Sequence, residues 1–119
     1  MRYQCLVLDH DDTVVDSTAS VHYPAFMETL RRLRPGEWES LTLEEYFLYN
    51  FEPGFAEFCR DILGFTAEED AEQGRAWEHY VAGHVPKAYP GMKEFLWCCR
   101  EAGIRLCVVS HSLKENILR

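Results

Sequence analysis

The segment that reveals most about the fold is Cys5-Leu6-Val7-Leu8-Asp9-His10-Asp11-Asp12-Thr13, near the start of the chain. Its apolar run Leu6–Leu8 is typical of a strand covered on both faces, as in a parallel sheet. Asp9 follows where such a strand leaves the sheet, at the carboxyl edge where ligands collect. Asp9 and Asp11 are two residues apart, so they face the same side of an extended chain. The segment therefore predicts an acidic site at the end of a buried strand.

Two carboxylates at this spacing can carry two kinds of chemistry. Their oxygens suit Mg²⁺, which takes one or two carboxylates and completes its shell with water and phosphate oxygens. A carboxylate can also attack phosphorus to form an aspartyl phosphate, while a second acid protonates the leaving oxygen and later activates water. The alternative is an acidic turn that only caps the next element, since structural acid clusters are common. The preceding strand and the hydroxyl of Thr13, which can hold the turn, favour chemistry.

The segment from Asp9 to Ser17, Asp-His-Asp-Asp-Thr-Val-Val-Asp-Ser, resembles the first signature of the haloacid dehalogenase superfamily. In the phosphatase branch that signature is Asp-x-Asp-Gly-Thr-Leu-x-Asp-Ser. The resemblance implies that Asp9 is the nucleophile and Asp11 the general acid/base, with Mg²⁺ held by the Asp9 side chain and the Asp11 main-chain carbonyl. Asp12 replaces the usual Gly, and Asp tolerates positive φ. His10 replaces a large apolar residue; we expect it to pack locally rather than ligate metal, and count it among the phosphate-binding candidates.

A second half-site is predicted where the strand candidate Ile104–Val109 ends in Ser110-His111-Ser112. A hydroxyl and the amides of a following helix start can hold phosphate oxygens, although a Ser N-cap is the ordinary alternative. The approach, with Pro-Gly, a helix, a Gly and an apolar strand, is similar to the second signature segment of the same family. The resemblance implies that Ser110 binds phosphate. His111 stands where Asn is common, and its main-chain amide could still serve.

Between these segments, residues 16–84 show helical patterns and no convincing strand. The predicted helices are Ala19–Leu33, Leu43–Tyr49, Phe55–Leu63 and one from Ala67 to about Val81 or His84. Thr-x-x-Glu capping boxes precede the second and fourth of them. His22 follows the Asp-Ser-Thr segment at the distance found in the branch that resembles β-phosphoglucomutase, which implies a substrate contact at a cap boundary. A surface helix histidine is the alternative reading.

These patterns predict an α/β protein with an incomplete Rossmann-like core, residues 1–15 and 85–119, and an inserted helical cap, residues 16–84. The core is expected to add a helix at Met92–Ala102 and the start of another at Leu113–Arg119. Family members continue with a segment bearing a Lys and a segment bearing acids, and Lys114 is too close to Ser110 to be that Lys. We therefore expect the N-terminal part of a longer protein, with half of an active site.

The bulk composition narrows the classes of partner. The net charge of −8 argues against nucleic acid, but a small phosphate ester meets a local field and a metal instead. No apolar stretch approaches the roughly 18 residues of a membrane span, and the N-terminus enters the first strand without a signal peptide.

The five cysteines lie in apolar contexts without a Cys-x-x-Cys pattern. This predicts buried, reduced thiols in a cytoplasmic protein rather than disulfides or zinc ligands.

The expected function is Mg²⁺-dependent hydrolysis of a small phosphorylated metabolite through an aspartyl phosphate, similar to phosphoglycolate phosphatase chemistry. A sugar-phosphate mutase of the β-phosphoglucomutase type is one alternative, and a catalytically inactive fragment is another. A receiver-type signalling domain is disfavoured, because a helical block of about 70 residues exceeds an ordinary crossover. An incomplete sheet also predicts an exposed apolar edge through which the chain could associate with itself.

Overall fold

The computed structural model describes residues 2–112 and 114–118. Its elements are β1 (Cys5–Leu8), α1 (Tyr23–Leu33), α2 (Leu43–Tyr49), α3 (Phe55–Glu57), α4 (Ala67–Gly83), α5 (Met92–Glu101), β2 (Arg105–Val108) and α6 (Lys114–Ile117). Five-residue π-helical segments occupy Thr18–His22 and Phe58–Ile62, and Asn50–Gly54 form a kinked connection in which the backbone of Glu52 is not helical. The parallel strands between helices confirm the predicted α/β class with a truncated core. Of the predicted last helix, Leu113 and Arg119 lie outside the described residues.

The chain divides into two compact units. Met1–Ser20 and Val85–Arg119 form one, called here the core unit, and Val21–His84 forms the other, called the helical unit. The predicted bounds of the two parts, residues 1–15 with 85–119 and residues 16–84, stay a prediction. The assignment of the helical unit as a cap over the core stays a prediction.

The core unit is built on the parallel pairing of β1 and β2, in register from Cys5↔Arg105 to Leu8↔Val108. The prediction that the first strand is covered on both faces is wrong for this structure, since Val7 is 62% exposed. All four residues of β2 are exposed as well. A two-stranded sheet has too few packed elements around it to cover both of its faces. The apolar run Leu6–Leu8 is therefore only partly buried.

The helix α5 ends one residue before the predicted bound. Cys99 is buried as predicted, and Phe95 on the same helix is 47% exposed. Gly103 follows the helix with a φ of +78°, a left-handed conformation that glycine adopts without steric cost. The chain then turns directly into β2.

Backbone hydrogen bonds in the core unit hold the two ends of the helical insertion together. The amide of Asp16 donates to the carbonyl of Lys87 at 2.7 Å, and the amide of Tyr89 donates to the carbonyl of Val14 at 3.2 Å. The chain therefore leaves the core unit and returns to it at one place. This arrangement lets a helical unit lie between β1 and β2 in sequence without disturbing their pairing.

The helical unit has a closed hydrophobic core. Its buried residues come from α1, α2, the segment Phe58–Ile62 and the loops beside these elements. Its buried members are Phe26, Met27, Leu30, Leu41, Tyr46, Phe58, Cys59, Leu63 and Phe65. Phe26 packs its ring against Tyr46, Phe55 and Phe58, with centroids 5.1 to 6.0 Å apart. Such aromatic pairs add stabilisation to the area they bury.

Both predicted capping boxes are confirmed. The Thr42 hydroxyl accepts from the amide of Glu45 at 3.1 Å, and the Glu45 carboxylate accepts from the amide of Thr42 at 2.9 Å. Thr66 and Glu69 make the same reciprocal pair at the start of α4. These pairs satisfy amides that the first turn of a helix leaves without partners, which explains why the starts of both helices could be predicted.

Other predicted helices are interrupted. The α-helical part of the first begins at Tyr23 rather than Ala19, because a π-helical turn precedes it and Pro24 suits a first helical turn. The helix predicted from Phe55 to Leu63 changes from α to π geometry at Phe58. No described helix is both long and apolar enough to span a bilayer.

The prediction of buried thiols is wrong for three of the five cysteines. Cys5, Cys98 and Cys107 are exposed free thiols, because they lie on the strands and helix of the uncovered core unit. Cys59 and Cys99 are buried. Burial raises the pKa of the Cys59 thiol to about 12, and the negative charge of Asp70 adds to the effect.

Candidate active site

The carboxyl ends of β1 and β2 lie at the same edge of the sheet. Leu8 pairs with Val108, and the amide of Val109 donates to the carbonyl of Leu8 at 2.8 Å. Asp9 and Ser110 therefore follow hydrogen-bonded neighbours. The two sequence segments that were predicted to form one site are brought together by the parallel pairing, although the helical unit separates them in sequence.

Asp9 presents an exposed carboxylate at this edge. Its Oδ1 accepts a hydrogen bond from the amide of His10 at 2.9 Å, which fixes the direction of the side chain. Within the described part of the chain, Oδ2 has no such partner. An oriented carboxylate with one oxygen open to solvent can act as a nucleophile or a cation ligand.

Asp11 is joined to the second segment by a direct side-chain contact. The Ser112 hydroxyl donates to Oδ2 of Asp11, across 101 positions of sequence. Ser112 also donates its amide to the hydroxyl oxygen of Ser110 at 3.0 Å. That bond uses a lone pair of Ser110 and leaves its hydroxyl hydrogen to donate elsewhere. Ser112 thus orients both predicted site residues, a role that the sequence analysis missed; the only available signal was a second hydroxyl residue two positions after Ser110.

His10 is 8% exposed, which agrees with the expectation of local packing. Its carbonyl accepts from the amides of Thr13, Val14 and Val15, so its main chain holds the turn after Asp9. Its Nδ1 lies 3.5 Å from Oδ1 of Asp11, beyond good hydrogen-bond length, and has no hydrogen-bond partner among the described residues. Since its amide is held by Asp9, any phosphate-binding role of His10 would fall to its ring, and this role stays a prediction.

Asp12 closes the loop rather than joining the acidic pair. Its φ is +56°, the left-handed conformation that was expected for a residue in place of the family glycine. Its carboxylate accepts from the amide of Thr18 at 2.9 Å and from the Thr18 hydroxyl. Its amide donates to the Ser17 hydroxyl at 3.3 Å. Asp12 therefore connects the first turn to Ser17, which ends the same signature, and to Thr18, which follows it.

The remaining predicted residues take no part in the hydrogen bonds described above. His111 is exposed between Ser110 and Ser112 in the core unit, and its amide role stays a prediction. His22 lies in the helical unit, where its Nδ1 accepts a hydrogen bond from Nε1 of Trp77 at 3.2 Å. Its substrate contact also stays a prediction.

The turn carries a concentrated negative charge. Burial raises the pKa of the Tyr89 hydroxyl, and the carboxylates of Asp12 and Asp16 raise it further. A phosphate dianion would be repelled by the same carboxylates unless a cation offset them.

The donor set suits Mg²⁺, since an exposed Asp9 carboxylate and main-chain oxygens are hard ligands and water can complete the shell. In the described ranges, no cluster of three or more His, Cys, Asp or Glu side chains forms a metal site.

The chain matches the haloacid dehalogenase-like hydrolase family over residues 6–118. Because the match covers nearly the whole chain, the protein belongs to this family, as the two signature segments indicated.

Two solved structures share the fold. One is a provisionally assigned phosphatase from Clostridium difficile, with 19% identity and a TM-score of 0.77 over 98% of this chain. The other is a predicted phosphoglycolate phosphatase from Haemophilus somnus 129PT, with 17% identity and a TM-score of 0.63 over 97% of this chain. The chain spans 53% and 54% of their lengths. No curated protein matches it significantly.

Proposed function

We propose that the protein of which this chain is part hydrolyses a small phosphomonoester through an aspartyl phosphate on Asp9. The observation that carries the proposal is the meeting of the two signature segments, through the Ser112 hydroxyl on Asp11 and the Ser112 amide on Ser110. Family membership and two phosphatase-named structural neighbours support the reaction class. The proposed compartment is the cytoplasm.

In the first step, a carboxylate oxygen of Asp9 attacks phosphorus, and the bond from phosphorus to the leaving oxygen breaks. Asp11, as a carboxylic acid, gives its proton to that leaving oxygen. Ser110 donates its hydroxyl hydrogen to a phosphate oxygen, and Ser112 keeps Asp11 and Ser110 in register. Mg²⁺ bound through Asp9 and the Asp11 carbonyl would offset the charge of the carboxylates and the phosphate.

In the second step, the Asp11 carboxylate takes a proton from a water molecule, which attacks phosphorus and breaks its bond to Asp9. Inorganic phosphate leaves, Asp9 is regenerated and Asp11 is protonated again. The two carboxylates therefore have different tasks. Asp9 must stay exposed and ionised, whereas Asp11 must exchange a proton at a fixed position, which the hydroxyl of Ser112 holds.

The test compares the extended gene product with this 119-residue chain, using p-nitrophenyl phosphate with and without Mg²⁺. We expect turnover only with Mg²⁺. Asp9→Asn should abolish it, and Asp11→Asn should lower kcat by about 10²–10⁴-fold. Ser110→Ala, which removes one donor to the phosphate, should lower kcat/KM by about 10–10²-fold. Asp61→Asn, an exposed carboxylate of the helical unit, is the matched control. Full turnover by Asp9→Asn would refute the mechanism.

A specific observation favours an inactive state for this chain alone. It spans about half the length of the structures it matches, and the described residues provide only the first two signature segments. We therefore expect the extended product to turn over substrate and the 119-residue chain not to do so. Equal rates for the two would contradict this part of the proposal.

Self-association through the sheet also belongs to the proposal. Val7, Leu106 and Val108 are exposed on paired strands, and an uncovered apolar strand is a surface on which another chain can pair. Light scattering after size-exclusion chromatography should show a concentration-dependent dimer, which Val7→Lys should weaken. A monomer at every concentration would exclude it.

A further inference from the structure

His10 contacts both carboxylates of the proposed mechanism. Its amide donates to Oδ1 of Asp9 at 2.9 Å, and its ring nitrogen Nδ1 lies 3.5 Å from Oδ1 of Asp11. Its carbonyl accepts from three amides of the turn that follows, so the main chain of His10 is held on both sides. The ring can therefore approach Asp11 by a rotation of its own side chain, without any movement of the turn.

Nδ1 of His10 is a buried nitrogen without a hydrogen-bond partner among the described residues. The side chain is only 10% exposed, so water does not readily take the place of a partner. An unpaired polar atom in a buried position costs about 1–3 kcal/mol of stability, and natural proteins retain few of them. A large apolar residue, which the signature that this segment resembles usually has here, would be buried without that cost. Local packing alone therefore does not account for a histidine at this position.

The Asp11 carboxylate is in place to accept from this nitrogen. The gap of 3.5 Å exceeds the usual N–H···O distance by about half an ångström. No other carboxylate in the described part of the chain forms an ion pair with the His10 ring. The Ser112 hydroxyl donates to the other oxygen of Asp11, Oδ2, so the two neighbours address different oxygens. Hydrogen bonds between catalytic groups are often long before substrate binds and shorten in its complex.

We propose that His10 is a positioning residue, whose Nδ1–H donates to Oδ1 of Asp11 in the complex with substrate. The inference rests on the proposed function and deepens it, because Asp11 is the acid that protonates the leaving oxygen. With Ser112 on Oδ2 and His10 on Oδ1, the plane of the carboxyl group is fixed. Each carboxyl oxygen has a second lone-pair site, which leaves a place for the proton that Asp11 exchanges.

The consequence is a dependence of the rate on the leaving group. p-Nitrophenolate leaves as a stable anion and needs little protonation, whereas the alkoxide of benzyl phosphate must receive a proton as its bond to phosphorus breaks. The two esters carry similar aromatic rings, so they differ mainly in this need. Because kcat/KM reports the steps up to release of the leaving group, the ratio of kcat/KM for p-nitrophenyl phosphate to that for benzyl phosphate measures how well Asp11 is positioned.

The test measures this ratio for the full-length gene product with Mg²⁺. His10→Phe keeps a large ring but has no nitrogen, and should raise the ratio by at least about tenfold, a small part of what a general acid contributes. His10→Asn offers an amide N–H close to the position of Nδ1 and should return the ratio to within about threefold of the parent value. An unchanged ratio in His10→Phe, or an equal rise in both variants, would overturn the proposal.

Two further variants separate this role from others. Ser110→Ala removes a donor to the phosphate itself and should lower kcat/KM equally for both esters, which leaves the ratio as it is in the parent. An equal loss for both esters in His10→Phe would therefore indicate a phosphate contact by the ring and refute the positioning role. Asp9→Asn tests the mechanism by itself: turnover by that variant would refute the aspartyl phosphate, whereas the His10 ratios concern only the acid.

A spectroscopic readout tests the hydrogen bond without reference to turnover. Nitrogen NMR of the full-length gene product, labelled with isotopic histidine and loaded with Mg²⁺ and inorganic phosphate, reports which ring nitrogen carries a hydrogen. The signals of His10 are assigned by their absence from His10→Asn. We expect a hydrogen on Nδ1, and a shift of its signal in Asp11→Asn, which removes the charge of the acceptor. An Nδ1 without a hydrogen would overturn the proposal whatever the activities of the variants.

Discussion

The two units of this chain differ in how completely they cover their apolar residues. In the helical unit, Phe26 and Phe58 are buried almost completely and their neighbours form one continuous cluster. In the core unit, Val7 and Val108 lie on paired strands but remain 62% and 46% exposed. Helices bury one face against nearby helices, whereas a two-stranded sheet needs further layers to become stable by itself. The comparison teaches that apolar residues form a closed core only where the chain supplies both of the packed layers that bury them.

The largest expected effect breaks the closed core. Phe58 is 0% exposed and packs its ring against Phe26, Trp38 and Tyr49. Phe58→Ala should lower the free energy of unfolding of the helical unit by about 3–5 kcal/mol, because it leaves a cavity that the neighbours cannot fill. Urea denaturation followed by tryptophan fluorescence measures this loss.

The matching change in the core unit is Trp97→Ala, since Trp97 is 60% exposed. It should change the free energy of unfolding by no more than about 0.5 kcal/mol, as surface substitutions usually do. Similar losses for Phe58→Ala and Trp97→Ala would show that the two units do not differ as described.

The next effect concerns the turn that supports the candidate site. Asp12→Ala removes the bonds to Thr18 and leaves at positive φ a residue that tolerates this conformation less well than Asp, so the core unit should lose about 2 kcal/mol of folding free energy. Asp12→Gly, which restores the family residue, should lose about half as much because it relieves the φ constraint. Amide hydrogen exchange in β1 and β2 measures both. Lys93→Ala, at an exposed position of the core unit outside the turn, is the control, and an equally large loss there would contradict the account.

A smaller effect is the alkaline sensitivity of the closed core. The Cys59 pKa is raised from 9.0 to about 12, so the folded state keeps a proton that the unfolded state loses. Its contribution to stability is full below pH 9.0 and is lost as the pH rises towards 12. From about pH 8 to about pH 10 the parent chain should lose about 1 kcal/mol more than Cys59→Ala.

This pH series needs its own control, because other groups titrate in the same range. Cys98→Ala removes an exposed thiol of the core unit and should follow the parent profile. Parallel pH profiles for Cys59→Ala and the parent chain would refute the proposed protonation difference.

The smallest effect tests the capping boxes of the helical unit. Thr66→Ala and Thr42→Ala should each lower the free energy of unfolding by about 1 kcal/mol, because each leaves an amide of the first turn without its acceptor. Thermal denaturation is sensitive enough to detect this change. Ser40→Ala, exposed and outside both boxes, should be neutral, and a loss equal to that of Thr66→Ala would argue against capping as the cause.

The local part of the fold could be predicted because its causes lie within four residues. The starts of α2 and α4 follow from Thr42 and Thr66, whose capping partners are three positions away. The pairing of the two strands followed from the signature segments rather than from periodicity. Burial could not be predicted in the same way, because the exposure of Val7 and Cys107 depends on what covers the sheet and not on the apolar run itself.

The candidate site shows the same limit. The positions of Asp9 and Ser110 at one sheet edge were predicted, and the structure brings their segments together. The contact of Ser112 with Asp11 spans 101 positions, and that of Trp77 with His22 spans 55. No local sequence spacing identifies Ser112 or Trp77 as these partners, so neither contact could be predicted from the sequence.

The most direct test of the central claim is to trap the phosphorylated enzyme. The full-length gene product is mixed with p-nitrophenyl phosphate and Mg²⁺, quenched in acid during turnover and analysed by peptide mass spectrometry. We predict the added mass of one phosphoryl group on Asp9, and its absence from Asp9→Asn. A phosphoryl group on another residue, or turnover that proceeds with none on Asp9, would contradict the account.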